Sequence, residues 1–520
     1  MLNFQNVQPN YVDAYQNDLV RAIRITPLIR IYKDDGNPAP GELYTVRNRF
    51  HTLKYDDMRT KTERLVSRAG ADWTIINGLH FKPSLSYVVD DYTELFMRKA
   101  TPAEEVQPSM QRWKDDYTNS SRQLMLDAVL QYDFSVARDH RFTVLGGVNF
   151  TQNKNHIKDM GSQRATNDYI YTINEPTTTV INGSVFSNVA DFATSLGETR
   201  SASMFGQFSY DYKTRYLLGG TLRYDGFSNF APDNKYALFP SLSAGWNIDR
   251  EDFWTQNNIV SGLKIRGSWG AAGLSGLSLS DTYGEYSAVS YALYSGILRS
   301  GLSNQQLRWE STYTTDIALD ASFLKNRLNL SVDFYNKLTK DRLTSKPLPS
   351  ESPFTSITYN NGALRNRGVE IALGGDVVKT KDFNWAVNFS FAFNRTTITQ
   401  LPDNGREKNR QGGDIIYDKT TGKEVRAGGL AEGERPYGIW AYNVLGVFST
   451  DAEAAEWNSR IKDNLASPQG IIVGKRGGDF IFEDVNNDGV IDAKDQCLWA
   501  IATPIRSVVC KTALIIRAST

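Results

Sequence analysis

The feature that most constrains the fold is a regular alternation of apolar and polar side chains. In the segment 384–394, large apolar side chains stand at every second position, with Asn, Ser or Ala between them. The same period of two recurs along the chain, in segments 124–134, 142–150, 216–224, 236–248 and 328–334. Because successive side chains of a strand point to opposite faces, this period predicts an all-β protein whose strands have one apolar and one polar face.

The lengths and ends of these segments favour a membrane environment. They are about ten residues long, the length of a tilted strand that crosses a bilayer, and many end in Tyr, Trp or Phe. The chain contains 26 Tyr, 25 Phe and 10 Trp, although its mean hydropathy is only -0.42. That combination suits strands that show one face to lipid and the other to water. A soluble sandwich or propeller also alternates, so the strands alone leave that alternative open.

Short and long connections between the segments alternate along the chain. Short connections are predicted at 135–140, 212–215, 325–327 and 379–382, and a tight turn at Asn77-Gly78. Long ones are predicted between them, at 93–121, 152–200, 271–308, 340–365 and from 396 onward. Short periplasmic turns and long extracellular loops are typical of transmembrane barrels. We therefore predict an antiparallel transmembrane β-barrel, of which about fifteen strands are present here.

Composition excludes several other classes of protein. The 58 basic and 58 acidic side chains give net charge +0 without a basic stripe, so nucleic acid is not expected as a partner. No stretch reaches the roughly 18 apolar residues of a membrane helix. The start, Met1-Leu2-Asn3-Phe4-Gln5, is not a signal peptide, so either the protein is cytoplasmic or its true N-terminus is missing.

Residues suited to catalysis are sparse. The four histidines stand singly, without metal-ligand spacing, and both cysteines, Cys497 and Cys510, lie near the end of the chain. No Gly-x-Ser-x-Gly elbow or phosphate-binding loop occurs. The sequence therefore predicts that the protein is not an enzyme and needs no catalytic cofactor.

One segment has the pattern of a calcium-binding loop. In 484–495 oxygen-bearing side chains stand at positions 1, 3, 5, 9 and 12, a backbone carbonyl is available at position 7, and Gly489 is at position 6. The predicted ligands are Asp484, Asn486, Asp488, the Val490 carbonyl, Asp492 and Asp495. Asp495 replaces the usual bidentate Glu, which predicts weaker binding. The alternative is a turn rich in Asp and Asn that holds no metal.

Several local sequences, in a fixed order, resemble one family. They are YLLGGTLRYDGFSNF at 216–230, LFPSLSAGW at 238–246, LKIRGSWG at 263–270, LRWEST at 307–312 and NRGVE at 366–370. Together they resemble the barrel of SusC/RagA-type TonB-dependent outer-membrane transporters of Bacteroidetes. The resemblance covers most of the chain from about Arg59 to Asp495.

The resemblance implies a barrel of about 22 strands in the outer membrane, in contact with its lipid, and an N-terminal plug. It also implies a SusD-like surface lipoprotein as partner, the TonB complex acting through the plug, and a glycan or peptide substrate. On this basis, 1–58 is expected to hold poorly defined early strands or a loop, and 59–495 the TonB-dependent receptor-like barrel domain. The plug and the last strands are not found in the sequence.

The tail, 496–520, departs from the family. The alternation stops after Asp495 and both cysteines follow it, which suggests a frameshift in the gene or its assembly. The leading hypothesis for function is active import of a nutrient as the channel component of a SusCD-like complex, compromised in this fragment. The alternatives are a passive porin and a surface β-protein that binds glycans without transport.

Overall fold

The computed structural model describes residues 2–7, 31–39, 54–100, 112–165, 167–171, 173, 178–181, 184–187, 189–255, 259–291, 294–380, 383–465, 474–501 and 506–516. Most of them lie in antiparallel strands. None of the helices in this part of the chain is long and apolar enough to cross a membrane.

Within the described residues, the complete elements are strands, two short α-helices and four short 3-10 turns. The strands are β1 Leu2–Val7, β2 Asp56–Gly70, β3 Trp73–Ile76, β4 Leu79–Arg98, β5 Trp113–Val136, β6 His140–Gln163, β7 Thr178–Ile181, β8 Ser184–Ser187, β9 Val189–Tyr212, β10 Tyr216–Phe227, β11 Tyr236–Asn247, β12 Val260–Leu274, β13 Glu285–Tyr291, β14 Tyr294–Gly301, β15 Glu310–Phe323, β16 Leu328–Pro347, β17 Ser356–Lys379, β18 Phe383–Gln400, β19 Asp414–Asp418, β20 Lys423–Ala427, β21 Gly438–Tyr442, β22 Val444–Val447, β23 Lys462–Asp463, β24 Phe480–Phe482, β25 Val490–Ile491, β26 Gln496–Ile501 and β27 Arg506–Ile516. The helices are α1 Leu279–Tyr283 and α2 Asp451–Arg460.

The chain divides into two compact units. The first contains Met1–Gln131 and Gly146–Met204. Its strands are hydrogen-bonded in the order β1, β2, β4, β5, β6 and β9, and β3 forms the predicted Asn77-Gly78 hairpin with β4. Gly78 has φ 81°, the left-handed conformation that this tight turn requires.

The second unit contains Tyr132–Leu145 and Phe205–Thr520. Its strands from β10 onward are hydrogen-bonded in the order β10, β11, β12, β15, β16, β17, β18 and β27. The register places apolar residues opposite one another on one face, as in Ile317 opposite Phe334 and Val369 opposite Phe393. Leu242, Ile317 and Phe334 are 59%, 58% and 55% exposed on this face, which marks it as the face that lipid covers.

Connections at one end of the strands are short. Positive φ angles at Arg138, Lys213 and Lys325 turn the chain within a few residues. These turns confirm the predicted short connections at 135–140, 212–215 and 325–327. At the other end, the long connection 271–308 contains α1 and the β13–β14 hairpin.

The strands are longer than the alternation predicted. Much of 93–121 and 340–365, which we predicted as loop, belongs to strands, because β5 begins at Trp113 and β16 continues to Pro347. The prediction was wrong there because a strand that extends beyond the bilayer meets water on both faces. Such a strand stays hydrogen-bonded to its neighbouring strands although its side chains do not alternate between apolar and polar.

The ends of the chain add two observations. The predicted segment 1–58 lies largely outside the described residues, apart from β1, an isolated bridge between Tyr32 and Pro38, and the start of β2. In the predicted tail 496–520, β26 pairs with β21 and β27 pairs with β18. Neither pairing tests the frameshift hypothesis, which stays a prediction.

The connection between β18 and β27 contains a small folded segment with its own core. Phe448, Ala454, Trp457 and Ile491 are buried together, with the α2 helix packed beside the short strands. Thr450 caps α2, since its side chain accepts a hydrogen bond from the Glu453 N–H. The long connection predicted from 396 onward also contains a hairpin, which β19 and β20 form.

Candidate functional site

A charged cluster lies on the polar face of the second unit, centred on Arg266 of β12. Its Nε donates to Asp320 at 3.0 Å and its Nη1 to Asp316 at 3.4 Å, while its Nη2 also contacts Asp333. The Ser331 hydroxyl lies within hydrogen-bond distance of Asp320 at 2.7 Å and of Asp333 at 3.0 Å, and it can donate its one proton to either carboxylate. Four side chains on β15 and β16 thus hold one guanidinium group in place.

The strand register explains why these residues meet. Arg266 lies opposite Ala318, and Ala318 lies opposite Asp333, so a small side chain leaves room for the arginine to reach across β15. Asp316 and Asp320 are two positions away on the same face. Together the three carboxylates exceed the single guanidinium in charge, and the side chains remain partly exposed.

The chemistry of this face suits solute contact rather than catalysis. Shallow depressions beside the cluster are lined by hydroxyl, glycine and charged residues, among them Ser209, Gly219, Ser243 and Ser268. Hydroxyls and charges can exchange hydrogen bonds with a passing polar solute. The arrangement provides a hydrophilic wall and a local excess of negative charge.

At the long-loop end, an aromatic cluster fixes the connection 271–308 against the strands. Phe230 and Leu307 are almost completely buried, and the Phe230 ring stacks on Trp309 at a centroid distance of 5.1 Å. Trp309 Nε1 donates to the Lys235 carbonyl at 3.2 Å. The loop therefore has a defined, packed base.

Asp281 of α1 joins this loop to β17. It accepts hydrogen bonds from Thr358 Oγ1 at 2.6 Å and from the Ser278 N–H at 3.1 Å, within a capping box. Burial on its own raises the pKa of Asp281, but the hydrogen bonds from Ser278 and Thr358 outweigh it and hold the pKa below its ordinary value. The carboxylate is therefore kept ionised at the loop base.

The predicted calcium loop folds as a compact turn. Asp484 accepts from the N–H groups of Asp488 at 3.2 Å and Gly489 at 2.8 Å, and Asp488 accepts from the Val490 N–H at 2.8 Å. Asn486 accepts from the Asp488 N–H at 3.0 Å. Gly489 has φ 80°, as the sharp turn at position 6 requires.

The end of this loop is anchored in the protein. Asp495 is fully buried and accepts from the N–H groups of Val485 and Asp492, each at 2.8 Å. Asp492 accepts from the Lys494 N–H at 2.8 Å. Burial raises the pKa of Asp495, and the neighbouring Asp484 and Asp492 carboxylates act in the same direction.

These residues supply the oxygen donors that calcium prefers, but their carboxylates are engaged with backbone N–H groups. Among the described residues, no group of three or more His, Cys, Asp or Glu side chains converges closely enough to hold a metal ion. The predicted ligands are thus neighbours in one turn, and calcium binding by them stays a prediction.

The antiparallel strands have one apolar and one polar face, with short turns at one end and long loops at the other. These features define an outer-membrane β-barrel protein. The chain belongs to the family described as TonB dependent receptor-like, beta-barrel, whose model matches residues 5–457.

Relatives and solved structures agree with this family. TonB-dependent receptor P3 of Formosa agariphila is 28% identical over 500 residues, which cover 93% of this chain and 46% of that protein. TonB-dependent receptor SusC of Bacteroides thetaiotaomicron is 29% identical over 306 residues, 57% of this chain and 28% of SusC. The structure of the RagAB peptide transporter matches with a TM-score of 0.73 at 19% identity, covering 94% of this chain and 50% of that one.

These findings confirm the predicted family, the all-β antiparallel fold and the outer-membrane location. The family is one of transporters, which also confirms that the protein is not an enzyme. The chain spans about half the length, or less, of the relatives it matches. Sequence reasoning missed the Arg266 cluster, although its members occupy the polar positions of their strands.

Proposed function

We propose that this chain forms part of the channel wall of an active importer that takes up a nutrient across the outer membrane. The observation that carries the proposal is the hydrophilic face around Arg266, which is backed by a lipid-type apolar face on the same strands. Such a wall lets a polar solute pass while the protein stays in the bilayer.

The proposed substrate is a glycan oligosaccharide or a peptide. Support comes from the relatives, of which one is named SusC and another is described as a peptide transporter. In the whole protein, a plug would couple the channel to the TonB complex and a SusD-like surface lipoprotein would deliver the substrate. The hydroxyl groups of residues such as Ser243 and Ser268 on the polar face can form hydrogen bonds with either kind of substrate.

The test is growth of the source bacterium on single carbon sources. Deletion of the gene should abolish growth on one class, oligosaccharides or peptides, and removal of TonB should have the same effect. Growth that persists without TonB would show a passive porin instead. Binding of glycans by the purified protein without any growth defect would show a surface glycan-binding protein.

A point substitution links that test to the polar face. Arg266→Gln should lower the uptake rate several-fold, because it leaves Asp316, Asp320 and Asp333 without their cation. The matched control is Arg367→Gln, which removes the same charge from an exposed arginine bonded to Asn336. Equal uptake by both variants and the wild type would count against a role of the Arg266 cluster in transport.

We also propose that the loop 484–495 binds Ca²⁺ through Asp484, Asn486, Asp488, the Val490 carbonyl, Asp492 and Asp495. Support comes from the ligand spacing and from the left-handed glycine at position 6. Calorimetric titration of the folded protein with CaCl₂ should give heat that disappears in Asp488→Ala. The absence of heat at millimolar calcium would refute calcium binding.

A further inference from the structure

The short turns of the second unit are joined into one rim. The Lys213 N–H donates to the Asp139 carbonyl at 2.9 Å, which links the β5–β6 turn to the β9–β10 turn. Asn247 Nδ2 donates to the Thr214 carbonyl at 2.6 Å, which adds the end of β11. We call the turns 137–139, 213–215, 248–252 and 324–327 the short-turn rim.

The far part of the rim is held in the same way. The Leu324 N–H donates to the Ile259 carbonyl at 2.9 Å, and the Asp376 N–H donates to the Arg327 carbonyl at 2.9 Å. These hydrogen bonds connect each turn to a neighbouring strand or turn. The backbone of the charged residues along the rim is therefore held in place.

An aromatic belt runs directly beside this rim. The rings of Tyr132, Phe134, Phe142 and Tyr210 follow one another at centroid distances of 4.9, 5.0 and 4.8 Å. The belt continues through rings that stack on or tilt against their neighbours at centroid distances of 4.7 to 6.4 Å, namely His140, Tyr212, Tyr216 and Trp246. All eight residues occupy even positions, as do the exposed apolar residues of the same strands, so the belt lies on the lipid face. Aromatic belts lie at the level of the lipid head groups.

The belt therefore places the rim at the polar surface of the membrane leaflet that faces the periplasm. At that position, the charge of the rim determines which lipid head groups bind next to it. Several rim cations are already paired, as in Lys213 with Asp139 at 3.4 Å and Arg215 with Glu251 at 3.3 Å.

Other cations of the rim have no carboxylate partner within the part of the chain that the structure describes. There, Arg138 and Lys325 are exposed and form no ion pair, and Arg250 contacts only the Thr214 hydroxyl. Arg327 donates to the backbone carbonyls of Asp376 and Val377, at 3.2 and 3.3 Å. Asp249 forms no ion pair in the described rim, and Arg215 is shared by two carboxylates, those of Glu251 and Asp252. The four turns of the rim therefore carry six cations and four anions, a net charge of +2 that gives the rim a positive surface.

We propose that the short-turn rim binds anionic phospholipid head groups. Phosphate oxygens carry the complementary charge, and guanidinium groups such as those of Arg138 and Arg250 match phosphate with two parallel donors. The aromatic belt places the acyl chains on the apolar face and the head groups at the cations. The proposal does not depend on which nutrient is transported.

The test measures lipid binding to the folded protein in detergent micelles. Native mass spectrometry would compare dioleoylphosphatidylglycerol, which is anionic, with dioleoylphosphatidylcholine, which has no net charge. The test variant combines Arg138→Gln, Arg250→Gln and Lys325→Gln. The matched control combines Arg406→Gln, Lys423→Gln and Arg476→Gln, which removes three exposed cations from the long connection between β18 and β27. Heat-modifiable migration on gels would verify that each protein is folded.

We expect the wild type and the control to prefer phosphatidylglycerol equally. The rim variant should lose at least about tenfold of that preference, since it removes three basic residues that each contribute a several-fold gain near an anionic lipid surface. Binding of phosphatidylcholine should not change. An unchanged preference in the rim variant, or an equal loss in the control, would overturn the proposal.

A second arm separates the possible sources of phosphate. Inorganic phosphate at millimolar concentration should not displace bound phosphatidylglycerol, because the acyl chains also contribute to binding. Displacement would show a site for small anions and would overturn the assignment to lipid. Capture of an acidic periplasmic protein by the rim, with equal binding of the two lipids, would likewise replace the lipid by a protein partner.

Discussion

The ring of Tyr335 on β16 lies across Gly368 on β17. The two residues are directly opposite in the antiparallel register. A Cβ atom built at Gly368 would collide with the Tyr335 hydroxyl and with the Phe393 carbonyl. Tyr236 covers Gly226 in the same manner on β10 and β11, also as a direct pair. Aromatic rings that cover cross-strand glycines fill the gap that a missing side chain leaves in a sheet.

This relationship gives the first prediction. Gly368→Ala should destabilise the folded protein by about 1–3 kcal/mol, since the added methyl displaces the Tyr335 ring or the β18 backbone. The unfolding temperature in detergent, followed by tryptophan fluorescence, measures the effect. Gly267→Ala is the control, because its added Cβ would lie 3.8 Å from the nearest atom, the Asp316 carbonyl oxygen. Equal unfolding temperatures for the two variants would contradict the prediction.

The loop base should depend on pH. The pKa of Asp281 is lowered in the folded protein, so its contribution to loop stability is complete above its unfolded pKa and is lost as the pH falls through the folded value. Asp281→Asn should therefore increase amide hydrogen exchange in α1 by roughly fivefold at pH 7, equivalent to about 1 kcal/mol. The difference between the variant and the wild type should shrink as the pH falls through the lowered pKa of Asp281.

Asp233→Asn serves as the control for that experiment. Asp233 lies in the short 3-10 turn Pro232–Asn234, whose N-cap residue makes no side-chain cap hydrogen bond. Its substitution should leave exchange in α1 unchanged over the same pH range. A variant at Asp281 that behaves like the wild type at pH 7 would show that the bonds to Thr358 and Ser278 do not hold the loop.

A buried arginine should stabilise the segment after β18. The Arg410 side chain is only 8% exposed, and it donates to the Gly428 carbonyl at 2.6 Å and to Glu434 at 2.5 Å. Arg410→Met should destabilise the segment by about 1–3 kcal/mol, because both acceptors lose a donor. Hydrogen exchange in β19 and β20 measures this. Arg406→Gln, at an exposed arginine that forms no ion pair with any described residue, should cause no comparable change.

The turn of the proposed calcium loop should require glycine. Gly489→Ala places a side chain at φ 80° and should cost about 1 kcal/mol of local stability, whether or not calcium is bound. The readout is the unfolding of the 438–501 segment by hydrogen exchange, with and without CaCl₂. Gly446→Ala is the control, since its nearest neighbour would be Ile481 Cδ1 at 3.9 Å. A variant at Gly489 that is as stable as this control would show that the loop tolerates another backbone conformation.

Part of the candidate site could be predicted and part could not. The ligand spacing of 484–495 is visible in the sequence because all its residues belong to one local turn. The Arg266 cluster brings together residues up to 67 positions apart, so it depends on which strands are neighbours and in which register. Alternation assigns Arg266 and Asp333 to the polar face, but it does not say that Ala318 leaves space between them.

The sequence by itself determined the fold class, the two faces of the strands and the alternation of short and long connections. These properties follow from local periodicity and turn residues, which act over a few positions. Tertiary structure alone decided how far the strands extend beyond the alternating segments, which carboxylates surround Arg266 and which rim cations stay unpaired. Those features depend on pairing between distant strands, where backbone hydrogen bonds and cross-strand contacts, rather than local hydrophobic pattern, set the outcome.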